Sequence, residues 1–367
     1  MAKNVYIHIP FCKSKCNYCS FVSLTTLELR ESYVIALAEQ IKAVYEGERL
    51  NTIYFGGGTP SNLSIENFKS ILSLFKFDSG TEITVEINPE GIDENYLTSL
   101  KSLGVNRISF GAQTFDDEIL KLIGRRHNSN QIETALKLAR TAGFENISLD
   151  FIYGLPTQSL SGFETDLKRA ISLNIKHISL YGLKIEEGCN FHINPPKALP
   201  DLDEQADMYL LAVETLKNNG FEHYEISNFS KSSTKNNFNS KHNLNYWDNN
   251  TYYGFGLSAS GYIDGVRYTN ETDLAKYIEN PSLKVSEQKL TVSEILEEAI
   301  FLGFRRIVTG LNVEQINKTF NIDFKKQYSK ILDKYLETGH LVKTQSGYAL
   351  SVDGILVSNE ILSEFIS

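Results

Sequence analysis

YIHIPFCKSKCNYCSF, running from Tyr6 to Phe21, is the stretch whose reading decides the fold. It opens as a β-rich run, breaks at Pro10, and then carries three of the chain's four cysteines, Cys12, Cys16 and Cys19. That spacing could line one face of a helix and make the cysteines a buried apolar stripe. Lys13, Ser14, Lys15, Asn17 and Ser20 stand among them, however, and this is the composition of a loop leaving a strand. A compact loop with three thiolates suits a soft metal. Zinc would want a fourth ligand; Cys189 or His8 could supply it, although neither has a zinc-like spacing. A [4Fe–4S] cluster held by three cysteines leaves one iron without a protein ligand, open to a small chelating molecule. The cluster is the expected occupant.

Composition bounds the setting of that loop. A length of 367 residues predicts two or three domains, or one large α/β domain with a smaller one, and a core that needs no disulfides. Hydrophobic content of 41% and charged content of 22% belong to the globular class. A net charge of -9 argues against general nucleic-acid affinity. No apolar run approaches the roughly 18 residues of a membrane span. MAKNVYIHIPF lacks the features of a signal peptide. A cytoplasmic protein is therefore expected, with reduced thiols, so that clustered cysteines read as metal-binding or catalytic.

Outward from the cysteines, β-rich runs alternate with helical patterns: NVYIHI (4–9), NTIYF (51–55), EITVEI (82–87), NRISF (106–110), ISLDFIY (147–153) and HISLYGL (177–183). Such alternation predicts a parallel α/β sheet with crossover helices, either open and doubly wound or an incomplete barrel. Chemistry in these folds sits at the carboxyl ends of the strands. There lie the cysteines, GGGTP (56–60), EINPE (86–90), GAQ (111–113), and Asp150 with YGLP (153–156). Beyond a helix near 203–219, FEHYEISNFS reads as a strand pair, and KSSTKNNFNSKHNLNYW (231–247) reads as a long polar loop of a kind often functional. The tail, helices followed by a strand–turn–strand around Gln345–Gly347, predicts a small winged-helix-like α+β domain, structural rather than DNA-binding in so acidic a chain. The expected division is a barrel over 1–200, an extension over 201–289 and this domain over 290–367.

C-x-x-x-C-x-x-C in the first βα loop of a repeating β/α chain resembles the radical S-adenosylmethionine (SAM) family. The resemblance implies a partial (β/α)6 barrel, with SAM chelating the open iron of the cluster. YIHIPFC, GGGTP, EINP, SFGAQTF, GRRH and DFIYGLP are similar, in order and spacing, to the coproporphyrinogen oxidase-like branch. Glycines allow close backbone approach to a ligand, and Gly57, Gly58 and Thr59 match positions whose backbone meets the SAM ammonium group. Carboxylates, amides and the guanidinium fork suit hydroxyls, ammonium and carboxylate groups. By resemblance, Glu86, Gln113, Arg125 and Asp150 hold the ribose, carboxylate and nearby parts of SAM, with Arg126 a neighbouring alternative to Arg125. Tyr6 and Tyr18 match aromatic positions flanking SAM and the cluster, and Gly182 a backbone contact to adenine.

Two departures divide the branch. The porphyrinogen-oxidising enzymes have a further cysteine where this chain has Phe21, and a long arm ahead of the motif, whereas Tyr6 comes almost at once here. HNLNYW, with His242, Asn243, Tyr246 and the sole tryptophan Trp247, resembles the H-N-x-x-Y-W marker of the HemW-type haem chaperone subgroup. That likeness implies a haem carrier delivering to acceptor haem proteins such as respiratory enzymes, with a homodimer among its expected states. Histidine is a common haem ligand and aromatic rings pack on porphyrin, which makes His242 and Trp247 the expected haem contacts. His8, His127, His177, His192, His223 and Cys189 are further candidates, Cys189 reading more readily as a buried thiol. The alternative is a radical SAM oxidoreductase acting on a porphyrinogen.

Overall fold

The computed structural model describes residues 2–231 and 237–366. Six strands, β1 (Asn4–Ile9), β2 (Thr52–Gly57), β3 (Glu82–Ile87), β4 (Arg107–Gln113), β5 (Asn146–Tyr153) and β6 (His177–Gly182), lie side by side in sequence order, each parallel to the last. Helices α1 (Arg30–Val44), α2 (Ile65–Leu72), α3 (Glu94–Ser102), α4 (Asp117–Leu122), α5 (Ser129–Thr141) and α6 (Leu160–Ser172) fall between them. Several are capped as the sequence allows. Ser64 and Asn67 form a capping box ahead of α2, and Asn128 and Gln131 another ahead of α5.

The strands alternate with period two. Val5, Ile7, Ile9, Ile53, Phe55, Ile83, Val85, Ile108, Phe110, Leu149, Ile178 and Leu180 are buried in the main apolar core. Asn4, Tyr6, His8, Thr52, Tyr54, Glu82, Glu86, Arg107, Ser109, Ser148, Asp150, His177 and Ser179 take the other face, in register from strand to strand. That polar face is concave. Tyr54 on β2 and Tyr181 on β6 would be roughly 19 Å apart on a flat sheet, yet they interact electrostatically with each other and with Glu86. The expected incomplete barrel is therefore the outcome, with a polar lumen in place of the apolar layers of a filled barrel.

The stretch after β6 does not stand apart from this sheet. Short α7 (Asn190–Ile193) and α8 (Leu202–Asn218) lead to β7 (Glu222–Glu225) and β8 (Asn228–Ser230), which pair antiparallel onto β6. Helix α9 (Lys241–Trp247) follows, and β9 (Tyr253–Phe255) then pairs parallel with β1, giving nine strands in all. The expected long loop over 231–247 is corrected here: 241–247 is helical, while 232–236 lie outside the described residues. Asparagine-rich sequence favours caps and turns on its own. Here Ser240 caps the helix, and Glu82 accepts from the peptide N–H groups of Lys241 and His242 at 3.2 and 3.1 Å. A second sheet joins β10 (Ser260–Ile263), β11 (Val266–Asn270) and β12 (Lys284–Lys289), with α10 (Leu274–Glu279) between the last two.

The tail has α11 (Val292–Gly303), β13 (Leu311–Asn312), α12 (Val313–Phe320), α13 (Phe324–Gln327), α14 (Ser329–Glu337), and a hairpin of β14 (Leu341–Lys343) and β15 (Gly347–Leu350). It docks on the barrel extension through backbone bonds, Ile226 N–H to the Arg305 carbonyl and Ile307 N–H to the Tyr224 carbonyl. Among the described residues no helix is long and apolar enough to cross a membrane.

Candidate functional site

The thiol loop leaves β1 at Pro10 and is closed at its base by Leu24, whose N–H donates to the Pro10 carbonyl and whose carbonyl accepts from Cys12 N–H. Its far side is tied down by Asn17, which donates to the Ile123 carbonyl and accepts from Phe191 N–H. Cys12 Sγ lies 3.4 Å from Thr59 Oγ1, and Cys16 Sγ accepts from an Arg125 Nη at 3.5 Å. Burial pushes the Cys12 and Cys19 thiols above their ordinary pKa, so a cation bound here would have to draw off their protons. Among the described residues no three His, Cys, Asp or Glu side chains are grouped to hold one metal ion. A four-iron cube is ligated at separate irons, so its thiolates surround it without converging on one ion.

Around this loop the predicted strand ends come together. Gly57 has φ +109°, and a Cβ there would meet the His8 ring at 2.6 Å. A Cβ on Gly58 would meet the Pro10 backbone at 2.8 Å. The N–H groups of Gly58 and Thr59 donate to the Ile9 and Phe11 carbonyls, so the turn meets an ammonium with its carbonyls, that of Thr59 already accepting from Asn62 N–H. Arg125 faces the thiol loop: one Nη donates to Asn88 Oδ1 at 2.7 Å and to the Gly111 carbonyl at 2.8 Å, while its buried Nε has no partner and Arg126 is exposed. Gln113 is buried at φ 67°, a left-handed backbone that costs about 1–3 kcal/mol for a non-glycine residue and clusters at functional sites. Tyr18 packs against the small apolar cluster of Ile119, Leu120, Ile123, Leu155 and Cys189. Gly182 ends β6 under the Tyr153 ring. The site thus offers three thiols from one loop, an arginine with a free buried donor and a glycine turn with no room for side chains. This donor set fits a cluster that SAM completes.

Beneath the glycine turn lies the lumen. Tyr54 hydroxyl donates to Glu86 at 2.8 Å, and Asp150 accepts from Ser109 at 2.9 Å and Ser148 at 3.1 Å. Burial pushes Glu86 from its ordinary 4.5 up to about 7, against the pull of Tyr54 and the Gly57 N–H, and Asp150 adds to the rise. Glu225, buried beside β8, is also raised to about 7, chiefly by burial. Both groups bind protons more tightly folded than unfolded, so their contribution to stability falls as pH rises through the window from about 4.5 to about 7, whereas buried His8, His177, His223 and His242, with pKa lowered by burial, contribute with the opposite sign. Glu86→Gln is expected to remove its part, so that the urea midpoint of the variant has a more positive slope against pH than that of the parent across this window. An unchanged slope in the variant would count against this assignment.

At the amino-terminal end of the lumen sits α9. His242 is buried, stacked on Tyr54 at 4.9 Å, with Nδ1 2.8 Å from Thr52 Oγ1 and Nε2 2.9 Å from the Tyr246 hydroxyl. Thr52 spends its proton on Asn4 Oδ1, so His242 Nδ1–H donates to Thr52 and Nε2 accepts from Tyr246. Burial holds the ring neutral, its pKa lowered to about 3. Trp247 lies under the Arg305 guanidinium and lines a cavity of about 280 Å³ with Tyr246, Tyr252 and Arg267, just below the roughly 300–1,000 Å³ usual for ligand pockets.

Residues 6–170 match the model of the radical SAM superfamily. The heme chaperone HemW of Lactococcus lactis subsp. lactis (strain IL1403) is 35% identical over 99% of this chain and 97% of its own length. HemW of Bacillus subtilis (strain 168) is likewise 35% identical, over 99% of both chains. The chain belongs to the HemW family. Among solved structures, coproporphyrinogen III oxidase (HemN) from Escherichia coli superposes with a TM-score of 0.86 over 100% of this chain and 90% of its own, at 22% identity, a likeness of fold.

As a member of the HemW family, the chain carries Phe21 beside its thiol loop, 66% exposed. Membership in the radical SAM superfamily implies SAM and a [4Fe–4S] cluster. Both ring nitrogens of His242, an expected haem contact, are hydrogen-bonded inside the fold. His8 and His177 are committed in the same way, His127 is buried against the Ala112 carbonyl, and His223 is stacked on Phe229. His192 on α7 is the one exposed imidazole among the sequence candidates. Sequence reasoning passed over Tyr54, Arg107, Ser109, Ser148 and Ser179. Their signal was the strict polar–apolar alternation of every barrel strand, whose polar half has no use in a sheet covered on both faces.

Proposed function

We propose that the protein is a haem carrier: it binds haem and passes it to acceptor haem proteins, respiratory enzymes among them, while holding a [4Fe–4S] cluster on Cys12, Cys16 and Cys19. The observation that carries this reading is the end-to-end likeness to heme chaperones named HemW. Bound there, the cluster would supply an iron with an open position and one-electron chemistry. Gly57, Gly58 and Thr59 carbonyls would take the SAM ammonium, and Arg125 with Gln113 its carboxylate. Glu86 and Asp150 would take the ribose hydroxyls, and Tyr6, Tyr18 and Gly182 would flank it. Haem would meet the exposed side of the thiol loop. There His192 is the imidazole that reaches iron without unfolding, while His242 and Trp247 organise α9. SAM and the cluster govern haem release or dimerisation in this reading.

Haem titration followed by mixing with an apo-acceptor is the test. The expected result is a saturable Soret band on the carrier, lost as the acceptor gains its own spectrum. Conversion of coproporphyrinogen III to protoporphyrinogen IX by the reconstituted protein with SAM and reductant would overturn the carrier reading in favour of an oxidoreductase.

A further inference from the structure

Helix α9 touches the first residue of three barrel strands. Glu82 on β3 accepts from its first two peptide N–H groups, Thr52 on β2 bonds His242, and Asn4 on β1 donates to Asn245 Oδ1 at 2.6 Å. A fourth tie runs from β6: the His177 ring is 2.8 Å from the Tyr224 hydroxyl, which accepts from the N–H of Ser240, the cap of α9. The helix therefore closes the lumen at the end opposite the thiol loop.

The Tyr54 side chain spans from this closure to the strand ends under the glycine turn. The Tyr54 ring rests on His242, its centroid 4.9 Å away and its plane tilted by 24°, and also stacks on Tyr6 at 6.2 Å. Its hydroxyl donates to Glu86, and Glu86 also accepts from Gly57 N–H. A carboxylate that must meet a ligand on one side is thus oriented from below by a tyrosine whose own ring position is set by His242. Carboxylate orientation matters because a small misplacement of a binding group forfeits much of its interaction.

We infer that α9 is the floor of the barrel and that His242, acting through Tyr54, is a positioning residue for Glu86. This inference rests on reading Glu86 as a SAM contact and is independent of how haem binds. A purely structural floor would lower stability when weakened and leave SAM affinity untouched. A haem-ligating His242 would change haem affinity alone.

The test is SAM binding to haem-free, cluster-reconstituted full-length protein, by equilibrium dialysis with labelled SAM. Tyr54→Phe keeps the ring on His242 and removes only the hydroxyl on Glu86, so it is expected to fold and to weaken SAM binding about tenfold, about 1.4 kcal/mol. His242→Ala is expected to weaken SAM binding by a similar factor. The double variant is expected to lie within about twofold of the weaker single variant, because the two act along one path. Multiplying effects in the double variant, or unchanged SAM affinity in Tyr54→Phe, would overturn the inference. Should His242→Ala fail to fold, His242→Gln, which keeps polar atoms toward Thr52 and removes the ring under Tyr54, takes its place with the same expected loss of SAM affinity, and unchanged affinity in it would overturn the inference. Loss of haem binding in His242→Ala with SAM affinity intact would also overturn it while leaving the carrier reading standing.

Discussion

Cys16→Ala is expected to lose the iron outright. After anaerobic reconstitution the unaltered chain should hold about four irons, and the variant well under one, with the broad visible absorption of the cluster gone. The reason is that neither of the two further ligands the sequence offered to this loop can take its place. The fourth cysteine, Cys189, is fully buried in the apolar cluster of Ile119, Ile123 and Phe191, behind the anchored side of the loop. His8 has both ring nitrogens committed, to Tyr6 and to the Val22 carbonyl. Two thiolates cannot hold a cube that three hold with one iron already open. Cys189→Ala should keep its iron, and iron analysis with absorption spectra on both variants is the check. A Cys16→Ala protein that still bound about four irons would sink the three-cysteine assignment.

Gly254→Ala is expected to destabilise the fold by about 3 kcal/mol or more, since overpacking against rigid backbone is among the mechanisms behind large single-residue effects. A Cβ at Gly254 would lie 1.9 Å from the Ser260 carbonyl oxygen and 2.4 Å from its carbon. Neither neighbour is a side-chain end that could swing aside. Relief would require β9 to part from the turn into β10, and β9 is the strand paired with β1 through Tyr6. The damage should therefore spread to the thiol loop, which springs from the same strand. Urea unfolding with a fixed m-value and a lowered midpoint would confirm a stability effect. A midpoint within error of the parent would contradict the packing argument.

Much of this architecture was legible in the residues alone. The six barrel strands fall where the β-rich runs stand, within a few residues, because strand propensity, helix caps and glycine stops are all local signals. The cysteine loop was legible for the same reason: its chemistry lies within eight residues, from Cys12 to Cys19. HNLNYW was found as a motif, yet its state was misjudged. Its asparagines argue for a loop; beyond the local cap Ser240, it is the carboxylate of Glu82, some 160 positions away in the chain, that accepts the first two N–H groups of α9. Strand β9 has three residues, and without β1 as a partner so short a run carries no strand signal of its own.

The sequence by itself determined what can bind: three thiols without a fourth, a glycine turn, a carboxylate at each of two strand ends, and a marker motif that places the chain among carriers. Only the tertiary structure decided which face each motif serves. It put the cysteines at one mouth of the lumen and HNLNYW at the other, buried the histidine expected on haem, and left Tyr54 joining the two. The physical reason is reach. A thiol loop is assembled by covalent neighbours, whereas the contact between His242, Thr52, Tyr54 and Glu82 exists only once a curved sheet brings the starts of separate strands around one helix.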